Sequence, residues 1–376
     1  MQITQLNIPK GMIDFGIGQP AISLLPTDIL RQAAEHRLKQ GDPSILQYGT
    51  EPGNGYFRLV LSEFLSDGYR IPVSADQLFI TSGATQGLNL ICTYFTSPGD
   101  TIFVEEPSYF LALHLFKDRH LKVVGLPVDE DGLIIEVLEE KLNEHKPVFL
   151  YSIPTFHNPS TVTLSADRRE KLVSLSEKYH FFIVADEVYQ LLAYTVTPPP
   201  PMMAYDNTGT VLSLGSFSKI LAPGLRLGWI QAAPFLFKRL TQSGLLLSGG
   251  GLNPFTSGIV QSVLELNLLE NHLEHLKKIY RERSSNLSTA LSEYLPPGVN
   301  FSEPQGGFFI WLRLPEKFDV ESFRSRAREQ NVDFQPGNNF SSKQRLRNYI
   351  RLSFSYYDVG ELRKGVSRLA SVLKTG

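Results

Sequence analysis

The chain has 376 residues, 42% of them hydrophobic and 20% charged, and its 36 Lys and Arg nearly balance 38 Asp and Glu for a formal net charge of −2. This composition supports a sizeable core, excludes disorder as the main state and, at about 150 residues per domain, suggests two domains. Near-neutrality argues against nucleic acid or an anionic membrane as partner, and the single Cys92 excludes an internal disulfide or a cysteine-rich metal cage. In chain order, the N-terminus lacks a signal-peptide pattern, and no run of about 18 apolar residues follows, so a cytoplasmic protein without a membrane span is expected. Apolar, β-branched or aromatic runs predict strands over Gln77–Thr81, Thr101–Glu105, Leu121–Leu126, Pro147–Ile153, His180–Ala185, Thr210–Leu214 and Leu225–Gln231. Helical patterns lie between several of them, over Thr85–Tyr94, Tyr109–Lys117 and Ser165–Lys178. This alternation predicts an α/β fold, a mostly parallel sheet covered by helices on both faces. Ligands of such sheets bind at the carboxyl ends of the strands.

From Ser257 to Leu295 the pattern becomes one long helical stretch, with Leu269, Leu273, Leu276, Tyr280, Leu287, Leu291 and Leu295 near helical spacing, until Pro296-Pro297-Gly298 stops it. Strand-like pieces at Gly307–Leu312 and Tyr349–Phe354 then alternate with helical ones at Val320–Gln330 and Val359–Leu373, which predicts a smaller α+β domain. The expected division is a large domain over 44–280 and a small one built from 1–43 and 281–376. The Pro198–Pro201 run reads as a stiff surface connector. His272 and His275 stand at i,i+3 on the long helix, but with no third ligand in view they read as solvated, and no metal is expected. The charges from His275 to Arg283 read as the exposed face of the same helix.

The chemistry gathers in loops that follow strands. In Leu214-Gly-Ser-Phe-Ser-Lys219, a lysine follows a strand and a serine turn, and Arg226 opens the next apolar run. A desolvated lysine can form a Schiff base with an aldehyde, while Ser216, Ser218 and Arg226 suit a phosphate. In Ile80-Thr-Ser-Gly-Ala-Thr-Gln-Gly87 a strand runs into a helix through small residues, so the backbone N–H groups near Gly83–Thr85 form an anion site. No GxGxxG between strand and helix and no GxxxxGK[ST] occurs, which removes the main support for dinucleotide and P-loop readings. Phe182-Ile-Val-Ala-Asp186 ends a strand in a carboxylate that can pair with a protonated ring nitrogen, or else cap the next helix. Tyr151 to Pro159 and Val104 to Tyr109 are further strand ends, with polar and aromatic residues. Taken alone, Lys219 reads as a surface lysine; the plain reading of Arg351 is a surface strand residue, against which Asn348–Ser355 reads as a half-buried strand.

Ten motifs now stand in order from Asp14 to Phe354: DFGIGQP, QYG, SGATQGL, EEPSYF, HNP, ADEVY, GSFSKILAPGLRLGW, GGGLNPF, PQGGFFIW and RLSFS. On them the chain resembles the pyridoxal-phosphate-dependent aminotransferases of fold type I, class I/II. Within these it is most similar to the 2-aminoadipate/kynurenine aminotransferases and to the aminotransferase domain of MocR-type regulators. The resemblance implies that Lys219 carries pyridoxal 5'-phosphate as a Schiff base and then serves as base and acid of the proton shift. It implies that Asp186 pairs with the ring nitrogen, that Tyr189 and Asn158 bond the phenolic oxygen, and that Tyr109 stacks on the ring. Gly83, Ala84, Thr85, Ser216, Ser218 and Arg226 would bind the phosphate, and Tyr48 would reach the phosphate of a neighbouring subunit, implying a homodimer with shared active sites. Arg351 would clamp the substrate α-carboxylate, with Asn158 and Gly18 beside the substrate.

The implied activity is ping-pong transamination between an L-amino acid and a 2-oxo acid, with large apolar, aromatic or aminoadipate-like side chains as the expected donors. The alternatives are a β-lyase or racemase reaction on the same site, or a cofactor-binding sensor without turnover. Thirteen residues precede Asp14, too few for the helix-turn-helix of such sensors, which favours the enzyme. One departure stands out: Ser160-Thr161 follow His157-Asn158-Pro159, where the family usually has threonine and glycine.

Overall fold

The structure, a computed structural model, describes residues 5–374. The first four and last two residues, which the sequence reading assigns to the small domain, lie outside the described residues. Eight strands form the main sheet: β1 (Leu78–Thr81), β2 (Thr101–Glu106), β3 (Lys122–Asp129), β4 (Gly132–Leu133), β5 (Phe149–Ser152), β6 (Phe182–Asp186), β7 (Val211–Ser216) and β8 (Gly228–Ala232). Their order is β1-β8-β7-β6-β5-β2-β3-β4. The run β3-β2-β5-β6-β7 is parallel, whereas β8 is antiparallel to both neighbours and β4 closes a short hairpin.

The strands read as continuous apolar runs because both faces are covered. Phe149, Tyr151, Val184 and Leu212 join the core on one face, while Leu150, Ile183, Ala185 and Val211 join the core on the other. This is the period-2 alternation of a pleated strand. Because these strands run the same way, Glu105, Ser152, Asp186 and Ser216 all arrive at one edge of the sheet.

A second, antiparallel sheet has β11 (Tyr349–Ser353) at its centre, flanked by β9 (Phe309–Arg313) and β10 (Gln335–Pro336). Its register sets both Trp311 and Gln335 opposite Arg351. Ile13–Asp14 pairs in parallel with Val332–Asp333, tying the N-terminal segment to this smaller body. The main-sheet helices that matter for the site are α1 (Ala84–Phe95) and α2 (Phe110–Asp118).

Three expectations need correction. The stretch from Ser257 to Leu295 is two helices, α3 (Pro254–Glu265) and α4 (Leu268–Tyr294), separated at Asn267 in the left-handed region with φ 52°. Asparagine tolerates that conformation, and the leucine spacing carries across the break without marking it. His272 is buried rather than solvated, and burial pushes its imidazole pKa down to about 4. Arg283 is buried as well, donating from Nη1 to the Ser355 carbonyl at 2.7 Å, so the charged cluster is not uniformly a solvent face.

The Pro198–Pro201 run is pinned to the interior rather than merely crossing the surface. Buried Arg169 donates to the Pro200 carbonyl at 2.8 Å, and Gln190 Nε2 to that of Pro199 at 2.8 Å. Buried Glu187 accepts from the Met202 N–H at 2.9 Å. Cys92 is free and buried in α1, where burial pushes its thiol up to about 12, in keeping with a packing role. Among the described residues no helix is long and apolar enough to cross a membrane.

Candidate active site

At one corner of the sheet edge, Gly83 caps α1 with φ 89°. A Cβ on Gly83 would lie 2.6 Å from Arg226 Nη2, so a residue without a side chain is needed for the guanidinium to approach the helix start. Arg226, itself left-handed at φ 46°, reaches Ser218 Oγ at 3.3 Å and the Ser82 carbonyl at 3.1 Å. Ser216 Oγ accepts from the Ser218 N–H at 3.1 Å and lies 3.0 Å from Ser218 Oγ. The start of α1 at Ala84 and Thr85, two hydroxyls and one fixed cation therefore share a corner suited to an anion.

Asp186 ends β6 in the interior. Its Oδ2 accepts from the Tyr151 hydroxyl at 2.7 Å, whereas its Oδ1 is buried and has no partner. Burial raises the Asp186 pKa, against the Tyr151 hydrogen bond, the Val188 N–H and the charge of Lys219. Lys219 is half-buried, its Nζ donating to the Gly18 carbonyl at 2.9 Å and standing 5.5 Å from the centre of the Phe308 ring. Burial, followed by the charge of Arg351, pushes its ammonium down to about 8 despite the attraction of Asp186.

Arg351 comes from the centre of the small sheet yet lies inside this cluster. Its Nη1 donates to Asn158 Oδ1 and its Nη2 to the Gly16 carbonyl, both at 2.9 Å. Its Nε is buried without a partner, and burial pushes the guanidinium down to about 10. Phe309 lies 4.0 Å from the guanidinium carbon and Phe340 5.1 Å. A Cβ on Gly18 would sit 3.0 Å from the Phe309 ring, so the N-terminal loop passes here in close contact. Tyr109 precedes α2, and burial with the Asp186 charge pushes its phenol up to about 12. Tyr189 is buried against Phe308 and Phe309, with ring centres at 5.4 and 6.0 Å. Tyr48 stands apart: it is 79% exposed, beside the bridge that joins Gly49 to Gly250 and Gly251.

Residues 10–369 match the family described as aminotransferase class I and II. The chain belongs to the class I and II aminotransferases. It is 37% identical to aromatic-amino-acid aminotransferase 1 of Thermococcus litoralis, across 99% of this chain and 90% of that one. The multiple substrate aminotransferase of Thermococcus profundus superposes with a TM-score of 0.92 at 35% identity, covering 97% of this chain and 92% of the other. The kynurenine aminotransferase of Pyrococcus horikoshii, solved with PMP and with kynurenine as substrate, gives a TM-score of 0.92 at 34% identity, covering 98% and 92%. Like its family, this aminotransferase uses pyridoxal 5'-phosphate to move an amino group from an amino acid to a 2-oxo acid.

Sequence reasoning assigned no role to three side chains of this aminotransferase's cluster. Tyr151 lay inside a stretch already singled out, but its contact with Asp186 crosses from one strand to the next. Phe309 shares a face of the small sheet with Arg351, which the alternation in PQGGFFIW and RLSFS could have signalled. Phe340 had no local signal.

The departure after Pro159 also has a structural reading. Ser160 places its N–H 3.2 Å and its Oγ 2.8 Å from His157 Nδ1, while His157 Nε2 lies 3.1 Å from Glu105 Oε2. Thr161 is held left-handed at φ 69°, a conformation costly for a β-branched residue. Thr161→Gly is therefore expected to stabilise the protein by about 1 kcal/mol. A denaturant melt with a lower midpoint for the variant would refute that strain.

Proposed function

We propose that this aminotransferase works through Lys219, on donors with large apolar, aromatic or aminoadipate-like side chains, as a homodimer with shared sites. The observation that carries the reading is the Lys219 amine, half-buried beside the Asp186 and Arg351 charges and lowered to about 8. The donor set fits pyridoxal phosphate: Asp186 Oδ1 is buried with no partner, and the cradle at Gly83 is one that a Cβ would fill. On this reading Gly83, Ala84, Thr85, Ser216, Ser218 and Arg226 hold the phosphate, and Asp186 holds the ring nitrogen. Tyr189 and Asn158 hold the phenolic oxygen, and Tyr109 covers the ring face.

The bound cofactor supplies a cationic ring that accepts the electron pair left when the substrate Cα loses its proton. Lys219 Nζ, neutral in a useful fraction near pH 8, takes that proton and returns it. Arg351 presents parallel N–H groups to the α-carboxylate, and Phe309 and Phe340 fix its plane and keep water from it. Gly18 lets the N-terminal loop lie close against Arg351, bordering the substrate.

Aromatic rings around Arg351, and relatives named for aromatic amino acids and kynurenine, support the choice of donor. Shared sites are supported by exposed Leu46, Tyr48, Leu245, Leu247 and Phe255 on segments joined through the Gly49 bridge, an apolar surface that a second copy would cover. The two sheets support a division into a large body over 44–280 and a small one built from 1–43 and 281–376.

The test mixes the loaded protein with single amino acids. Phenylalanine, tyrosine, kynurenine or 2-aminoadipate should bleach its visible band, and 2-oxoglutarate should restore it. The preparation should sediment as a dimer. Sustained release of 2-oxo acid together with ammonia, beyond one equivalent per site and without any acceptor, would move the reading to a lyase. A band unaffected by every donor would overturn the transfer reading.

A further inference from the structure

Asp186 carries its two oxygens in different situations. Oδ2 is tied at 2.7 Å to the hydroxyl of Tyr151, and Oδ1 is buried with no partner. Tyr151 is fully buried on β5, one strand over from Asp186, where the parallel register pairs it with Val184. Its ring packs edge-on against Phe116, with centres 5.4 Å apart, so the phenol has little freedom to turn away. Burial pushes the phenol well above its ordinary value, and the Asp186 charge pushes it further, so Tyr151 remains a proton donor.

We propose that Tyr151 is a positioning residue for amino transfer: its O–H fixes Asp186 Oδ2, aims Oδ1 at the cofactor's ring nitrogen, and leaves the proton shared between them on nitrogen. This rests on the reading of Asp186 as the partner of the ring nitrogen. A hydrogen bond donated to one carboxylate oxygen stabilises the anion and lowers its affinity for a proton. The other charged and titratable groups around Asp186 are Lys219, Glu187, Tyr109 and Tyr189. Of these groups and Tyr151, the phenol of Tyr151 donates a hydrogen bond to the carboxylate. Without it, Asp186 becomes the stronger base and is held less firmly, with the Val188 N–H as its remaining protein donor, and the shared proton moves from the ring nitrogen toward the carboxylate. The ring then accepts electrons less well.

The test is Tyr151→Phe, which keeps the ring packed on Phe116, in enzyme loaded with pyridoxal phosphate labelled with ¹⁵N in the ring. Its ¹⁵N resonance should move from the pyridinium position toward that of neutral pyridine. kcat should fall about tenfold, with KM for the donor within about twofold. A role confined to packing would lower the melting temperature and leave the resonance in place. Asp186→Ala is the companion variant. If it moves the resonance and Tyr151→Phe does not, the Tyr151 proposal fails while the Asp186 reading stands; if neither moves it, both fail. Should Tyr151→Phe not fold, Tyr151→3-fluorotyrosine supplies the measurement: its ¹⁹F resonance should shift when the cofactor is loaded, and an unmoved resonance overturns the proposal.

Discussion

Lys219→Ala is expected to lower amino transfer by at least about 10³-fold, because it removes the group that takes and returns the substrate proton. The neighbouring groups cannot replace it. Asp186 is tied to Tyr151, and Arg351 stays protonated with its pKa at about 10. The same substitution should abolish the visible band that the unsubstituted protein shows with pyridoxal phosphate. A retained band would sink the assignment. The pH dependence has a definite sign: the attacking form is the neutral amine, and burial with the Arg351 charge pushes its ammonium pKa down from the ordinary 10.5 to about 8. Association of the cofactor with the unloaded protein should therefore speed up as pH rises through about 8 and level off above it. A midpoint near 10.5 would show that burial and Arg351 do not depress the amine.

Arg351→Ala is expected to lower kcat/KM for amino acids by about 10²- to 10³-fold, mostly through KM, with the cofactor band intact. Two parallel charge-assisted hydrogen bonds to a carboxylate, at about 1.5–3 kcal/mol each, account for that range. The loss is steep here because the guanidinium is buried between Phe309 and Phe340, where little water competes. Arg351→Lys should recover only part of it, since an ammonium cannot present the planar fork. Unchanged KM for several donors would place the carboxylate clamp elsewhere. The substitution also leaves Asn158 Oδ1 and the Gly16 carbonyl without their donor, so the variant's melting temperature is measured beside its kinetics.

Much of this protein was legible in the sequence because the signals are local. Strands covered on both faces are short continuous apolar runs between turns, so β1, β2 and β5–β7 could be read to within a few residues. Glycine and serine turns after strands mark places where backbone N–H groups can face an anion, and Gly83, Ser216 and Ser218 carry that local signal. The same locality explains the errors. Helical spacing of leucines continues through Asn267 although the backbone turns there, and nothing near His272 or Arg283 says that either will be buried.

Composition, the alternation of apolar runs with helical patterns and the ten motifs were enough by themselves for an α/β chain of the aminotransferase family. The tertiary structure alone decided that Arg351 is buried against Asn158 across 193 positions of sequence. It alone set Lys219 against the Gly18 carbonyl 201 positions away, and set the Tyr151 hydroxyl on Asp186 across two strands. Periodicity encodes which way a side chain points from its own strand. Which charges meet, and how much water is left between them, is settled only when distant segments close around them, and that closure sets the pKa of Lys219 and the direction of Asp186.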